Sequence, residues 1–322
     1  MQVREFADGC EITQVLLVRE VELRSRRDGG EYLKLTIGDR TGSVPGVVWD
    51  GVAELRELCA PGVVVHATGR YSVHPRFGPQ LTITALRAAR EHEYDSGELL
   101  DGPVRSPDQM ETDLRELLST VQNPHLQLLL GAIFGGASPT WANYRDAPAA
   151  KRYHQAYRHG LLEHSLSVAQ AVSAISATFP GIDRDIAVTG ALLHDIGKLE
   201  AYEVQGGAIS MSDHGRLYGE IPIGYYLVRR AIERIEGFPS ELAQAVLHII
   251  LSHHGSLEHG SPVVPCTREA TLVHMIDNLG GRLGSFDRIE KELPVGEEWS
   301  GFDRALGGGA YFAGRAETAE AA

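Results

Sequence analysis

The residues best equipped for chemistry are His164, the adjacent His194-Asp195, the adjacent His253-His254, and Asp277. All of them fall in apolar runs with helical spacing. His164 shares a face with Val168, Ala171 and Ile175, which points it inward. His194 and Asp195 lie among Leu192, Ile196 and Leu199. His253-His254 closes the run ELAQAVLHIILSHHG, with Gly255 placed as its cap. Asp277 lies in LVHMIDNLGG. An ionised carboxylate is costly to bury alone. A lysine or arginine partner would satisfy one such group, not the His and Asp residues of four interior helices. A divalent cation would answer them together, because imidazole and carboxylate are among its ordinary ligands. Such a cation acidifies bound water and so generates a nucleophile near neutral pH. Lys198 lies one helical turn beyond His194. It is a candidate to touch a phosphate or stabilise a transition state; the alternative is a surface lysine at a helix end.

These residues must be positioned by helices. The spacing predicts helices over 161–178, 183–199, 219–236, 240–253 and 267–282, preceded by a helical run through Leu114, Leu117, Leu118 and Val121. The first ninety residues read differently. CEITQVLLVREVELR, EYLKLTIGD, SVPGVVWD, GVVVHATGRYSVHP and PQLTITALRAA are five strands, with one short helix, GVAELRELC, between the third and fourth. That order fits a small Greek-key barrel of OB type. The expected architecture is thus multi-domain: an all-β barrel over 1–90, a linker over 91–107, an all-α helical bundle over 108–310 and a flexible tail over 311–322.

The net charge is -13. Residues 1–90 carry +1 and the remainder -14, which argues against coating nucleic acid by charge alone but leaves room for a local groove. Three separated cysteines form neither a disulfide framework nor a metal knuckle. No signal core or membrane-length apolar run is present, so a cytoplasmic protein with no membrane partner is expected. An OB barrel binds single strands by stacking bases on aromatics and tracking the backbone with basic groups. Tyr32, Trp49, Tyr71 and Phe77 are the aromatic candidates for that task, with Arg24, Arg26, Arg27, Arg70 and Arg76 as charge, and RYSVHPRFGPQ is the basic-aromatic loop among them. Trp49, on an alternating strand, is expected to fill the barrel. Arg158 is a candidate for a bidentate grip on phosphate. His125, His248, His259 and His274 are read as structural or surface residues.

The set His164, His194-Asp195 and Asp277 resembles the HD superfamily of metal-dependent phosphohydrolases, and HDIGK is its most specific local match. GLLEHSLSV, LSHHG and WSGFDRALGG are similar to motifs of one branch, the YhaM-type 3'-5' exoribonucleases, which also carry an N-terminal OB-fold. IGDRTGSVPGVVWD resembles the hairpin between strands two and three of nucleic-acid-binding OB-folds. The resemblance spans the chain to about residue 308. It implies one metal held by His164, His194, Asp195 and Asp277. A second ion, bridged by Asp195, would take His253 and His254. Glu220 stands in YGEI where the family usually has a histidine; as a carboxylate it could bind a hard ion such as Mn²⁺ or Mg²⁺, or point away. Fe²⁺ is a further option. His154 matches a histidine before the first ligand and is a candidate phosphate contact or orienting group. The implied activity is metal-dependent 3'-to-5' trimming of single-stranded RNA or DNA, with homo-oligomerisation left open. The alternatives are a non-catalytic single-strand-binding factor with a degenerate or regulatory HD domain, and a phosphohydrolase of small nucleotides.

Overall fold

Period-two alternation over the first ninety residues produces five strands that close on themselves, in the order β1-β2-β3-β5-β4. They are β1 (Glu11–Ser25), β2 (Glu31–Asp39), β3 (Gly42–Val48), β4 (Val64–His74) and β5 (Gly78–Ala88), with α1 (Val52–Leu58) between β3 and β4. The computed structural model describes residues 1–26, 29–74, 78–95, 99, 102–151, 155–205, 208–293 and 296–314. β1 is the seam of the barrel: residues 11–17 pair with β4, and its C-terminal part from Leu17 onward pairs with β2. The ladder shifts register between Val18 and Glu20, where a bulge lets one long strand turn the corner. The parallel pairing of β3 with β5 completes closure. Leu16, Val18, Leu33, Leu35, Ile37, Val65 and Leu81 fill the interior. Gly69 sits at the second register shift, where a Cβ would lie 2.2 Å from the Thr82 carbonyl oxygen; glycine alone permits that approach.

The chain forms two compact units, Met1–Asp101 with Val204–Ala208 and Phe286–Ala322, and Gly102–Glu203 with Ile209–Ser285. The helical elements are α2 (Pro107–Ser119), α3 (Pro124–Phe134), α4 (Pro139–Asp146), α5 (Gly160–Ser176), α6 (Arg184–Leu193), α7 (Lys198–Ala201), α8 (Asp213–Tyr218), α9 (Glu220–Glu233), α10 (Ser240–Ser252) and α11 (Arg268–Glu292). Their starts are written locally. Ser106, Asn123 and Ser138 each accept a hydrogen bond from the first turn of their helix and precede a proline, whose missing N–H costs nothing there. Asp183 caps α6 through the Ile186 N–H. Leu161, Leu166, Val188, Leu192, Val246, Ile250 and Val273 join α5, α6, α10 and α11 in one core. Gly190 brings α6 and α10 close, since a Cβ there would lie 2.4 Å from the Ile249 side chain.

In the helical region the described residues differ from the sequence expectation as follows. The helix expected over 183–199 ends at Leu193; residues 194–197 form a turn, and α7 restarts at Lys198. Bonds of i to i+3 type, from Ile196 N–H to Leu193 and from Lys198 N–H to Asp195, carry the chain through. A two-stranded sheet, β6 (Tyr202–Gln205) with β7 (Ala208–Met211), interrupts the helices. α11 runs ten residues beyond its expected end at 282. Among the described residues no helix is long and apolar enough to cross a membrane.

Candidate metal centre

Three helix ends, the turns after two of them, and the middle of α11 converge on one cluster. His164 is in the first turns of α5. His194 caps α6, and Asp195 lies in the turn that follows. His253 caps α10, and His254 precedes Gly255, whose φ of +82° ends the helix as the sequence suggested. Asp277 comes from α11, and Glu220 is the first residue of α9. Gly197 brings α9 against the His-Asp turn: a Cβ there would lie 1.9 Å from the Glu220 carbonyl oxygen.

The distances are those of a ligand cluster. His164 Nε2 is 3.1 Å from Asp277 Oδ1, 3.2 Å from Asp195 Oδ2 and 3.1 Å from His194 Nε2. His194 Nε2 is 3.3 Å from Asp195 Oδ2. On its other side, Asp195 Oδ1 is 3.5 Å from His253 Nε2. Three overlapping triads, His164/His194/Asp195, His194/His253/Asp277 and Asp195/His253/His254, each have ligand atoms within 4.8 Å of one another. Glu220 Oε1 stands 3.8 Å from His254 Nε2.

Tautomers make the arrangement diagnostic. His194 Nδ1 donates to the Ala191 carbonyl at 2.7 Å, and His253 Nδ1 donates to the Ile250 carbonyl at 2.8 Å. A carbonyl only accepts, so in the neutral rings Nε2 carries the lone pair and faces the carboxylates. Among the described residues, buried Asp195 Oδ1 and His253 Nε2 find no hydrogen-bond partner. Buried acceptors aimed at acceptors are costly without a cation. The donor set is nitrogen and oxygen with no thiolate, so the residues present fit a divalent metal ion.

The electrostatics follow. Burial alone would depress the His164 imidazolium, but the carboxylates of Asp195 and Asp277 outweigh it and raise its pKa to about 9. Burial would raise Asp277, yet the hydrogen bond from His164 and the neighbouring imidazoles hold it far below the usual carboxylate range. Asp195 is likewise depressed: burial opposes it, while the Lys198 charge and the imidazoles prevail. Lys198 Nζ sits 2.6 Å from Asp195 Oδ2; burial would lower its pKa, and the Asp195 charge raises it. His254 is pushed down by burial and by His253.

The other candidate residues fall elsewhere. Arg158 pairs with Asp146 at 2.7 Å in an exposed ion pair. Tyr71 packs on the barrel core with its ring 5.6 Å from Phe6. His154, Arg76, Phe77 and Arg27 lie outside the described residues. Trp49 corrects its expectation. It follows the last residue of β3, where alternation has already broken down, and it is 40% exposed rather than inside the barrel. Its ring lies 4.8 Å from Tyr32 and 5.0 Å from the Arg26 guanidinium carbon. His274 has the structural place expected of it: its Nδ1 donates to the His253 carbonyl at 2.7 Å, holding the turn that presents the histidine pair. Its spacing three residues before Asp277 was the only sequence signal. Glu163, buried beside His164, gave no signal, because a glutamate in a first helical turn is commonplace.

Residues 161–281 match the HD domain family, and residues 17–88 match the OB-fold nucleic acid binding domain family. Over nearly the whole chain the sequence is similar to the 3'-5' exoribonuclease YhaM of Geobacillus sp. (strain WCH70), 30% identical over 295 residues that cover 90% of this chain and 88% of that protein. The 3'-5' exoribonuclease YhaM of Bacillus subtilis (strain 168) is 30% identical over 292 residues, covering 90% of each chain.

Proposed function

The chain belongs to the YhaM family of 3'-5' exoribonucleases, and from that premise we propose that it is a metal-dependent 3'-5' exoribonuclease whose hydrolytic centre is the buried His/Asp cluster. The observation that carries the site assignment is the convergence of imidazoles and depressed carboxylates from separate helices and the turns that follow them on one buried cluster.

His164, His194, Asp195 and Asp277 would hold one ion. The two oxygens of Asp195 face different histidines, which supports a second ion shared with His253 and His254, with Glu220 beside it. When bound, a divalent cation acidifies water and offsets charge on the phosphate undergoing displacement. The mixed imidazole and carboxylate set favours Mn²⁺, with Mg²⁺ and Fe²⁺ as alternatives. The residues do the remaining work. Asp195 and Asp277 stay ionised through the working range and keep the pocket attractive to cations. The depressed His254 stays neutral, which leaves its Nε2 able to coordinate, because its Nδ1 donates to the His259 carbonyl. Lys198 is too basic for efficient proton donation near neutrality, so its part is electrostatic, as a fixed positive charge beside Asp195 for phosphate oxygens. In the barrel unit, Trp49 with Tyr32 and Arg26 supplies an exposed aromatic and a cation suited to stacking a base of a single strand.

The test uses 5'-end-labelled RNA and DNA oligonucleotides with Mn²⁺, Mg²⁺ or chelator. A ladder shortening from the 3' end, dependent on metal and stronger on RNA, is expected. Binding of the strands without metal-dependent shortening would instead mark a non-catalytic factor. Hydrolysis of mononucleotides alone would mark a small-nucleotide phosphohydrolase.

A further inference from the structure

Among the described residues of the segment leading into α5, Gln155 with φ of +60° and His159 with φ of +71° adopt left-handed backbone. That conformation is unfavourable for L-residues and persists only where the surroundings enforce it. Here they do. The Ala149 N–H donates to the Gln155 carbonyl at 3.1 Å, and the His159 ring bonds to the Arg145 carbonyl at 2.8 Å. A Cβ at position 160 would lie 2.0 Å from the Gln155 carbonyl oxygen, so only glycine fits there.

The turn sets the Gln155 amide beside His164. Gln155 Oε1 is 3.1 Å from His164 Nδ1, and Gln155 Nε2 is 3.5 Å from Glu163 Oε2. Glu163 is buried and also accepts from the Tyr157 hydroxyl and, at 3.1 Å, from the Val104 N–H. A carboxylate only accepts, so the amide NH₂ faces Glu163 and the amide oxygen faces His164. His164 must then donate from Nδ1 and turn Nε2 to the cluster. His194 and His253 achieve the same orientation differently. They cap helices, where the last carbonyls lack intrahelical partners, and each bonds the carbonyl three residues back. His164 stands near a helix N-terminus, where preceding carbonyls are already engaged by the helix. It needs an acceptor from outside.

We propose that Gln155 is the positioning residue for His164: its strained turn exists to hold the acceptor that fixes the tautomer and ring orientation of the first ligand. The inference rests on the reading of His164 as a metal ligand.

Mn²⁺ affinity, measured by calorimetry on the full chain, tests it, together with the melting temperature of each metal-free protein. Gln155→Gly suits the left-handed backbone and removes the acceptor. Gln155→Asn also tolerates that backbone and carries an amide one methylene too short. Both variants should melt at or above the wild-type temperature and bind Mn²⁺ about 10- to 100-fold more weakly, the size of effect typical of lost orienting groups. His164→Ala should bind more weakly still. Wild-type affinity in both Gln155 variants, with weakened binding in His164→Ala, overturns the proposal alone. Wild-type affinity in His164→Ala overturns the ligand reading beneath it.

Discussion

Asp195 is asked to serve two directions at once, with Oδ2 toward His164, His194 and Lys198 and Oδ1 toward His253. A carboxylate so placed cannot be satisfied by one lysine, and this is why the site reads as a cation pocket and not as a buried salt bridge. The raised pKa of His164, to about 9, has a measurable consequence. In the metal-free protein that ring carries a proton at neutral pH, and coordination requires its loss. Metal uptake should therefore release about one proton near pH 7, read by calorimetry in buffers of different ionisation enthalpy. Affinity should rise with pH and level off as the His164 proton is lost above about 9. Affinity independent of pH between about 6 and 8 would count against His164 as a ligand. Most of the cluster is legible in the sequence, because His164, His194, Asp195, His253 and Asp277 are polar residues at positions that periodicity assigns to the interior. Gln155 is not legible. Its importance comes from a backbone conformation that a sequence pattern does not display.

The elements are legible where local chemistry marks them and obscure where packing decides. Ser106-Pro107, Asn123-Pro124 and Ser138-Pro139 announce helix starts by capping and proline geometry. The break after Leu193 is hidden because Leu192 and Ile196 are buried on both sides of it and Leu199 still packs on the core, so the apolar pattern runs through the turn unbroken. What the pattern conceals, Gly197 enforces through its contact with the start of α9. Gly197→Ala should destabilise the protein by about 1–3 kcal/mol, with the strain falling on the Glu220 backbone. Gly131→Ala is the control. That glycine lies within α3 with open space around its would-be Cβ, so the change should stabilise by about 0.5–1 kcal/mol. Urea unfolding of both variants checks the pair; equal effects would deny Gly197 its positioning role.

For the whole molecule, charge is divided unevenly: +1 over residues 1–90 against -14 over the rest. Bulk electrostatics thus offers little to strand binding, and the local feature proposed for it is the exposed Trp49 beside Tyr32 and Arg26. Trp49→Ala should weaken binding of a single-stranded oligonucleotide by about 1–3 kcal/mol while leaving metal affinity unchanged, measured by fluorescence anisotropy and calorimetry. The barrel was legible from alternation, but the outward placement of Trp49 was not, because it lies one residue past the last paired position of β3. The proposed activity requires the His/Asp cluster to be the centre that shortens RNA. The most direct measurement follows a 5'-labelled single-stranded RNA with saturating Mn²⁺, comparing the wild-type chain with a folded Asp195→Ala variant. The expected result is a 3'-end ladder from the wild type and, in the variant, a rate reduced by at least the roughly 10- to 100-fold that loss of even an orienting group causes. A ladder of undiminished rate from Asp195→Ala would contradict it.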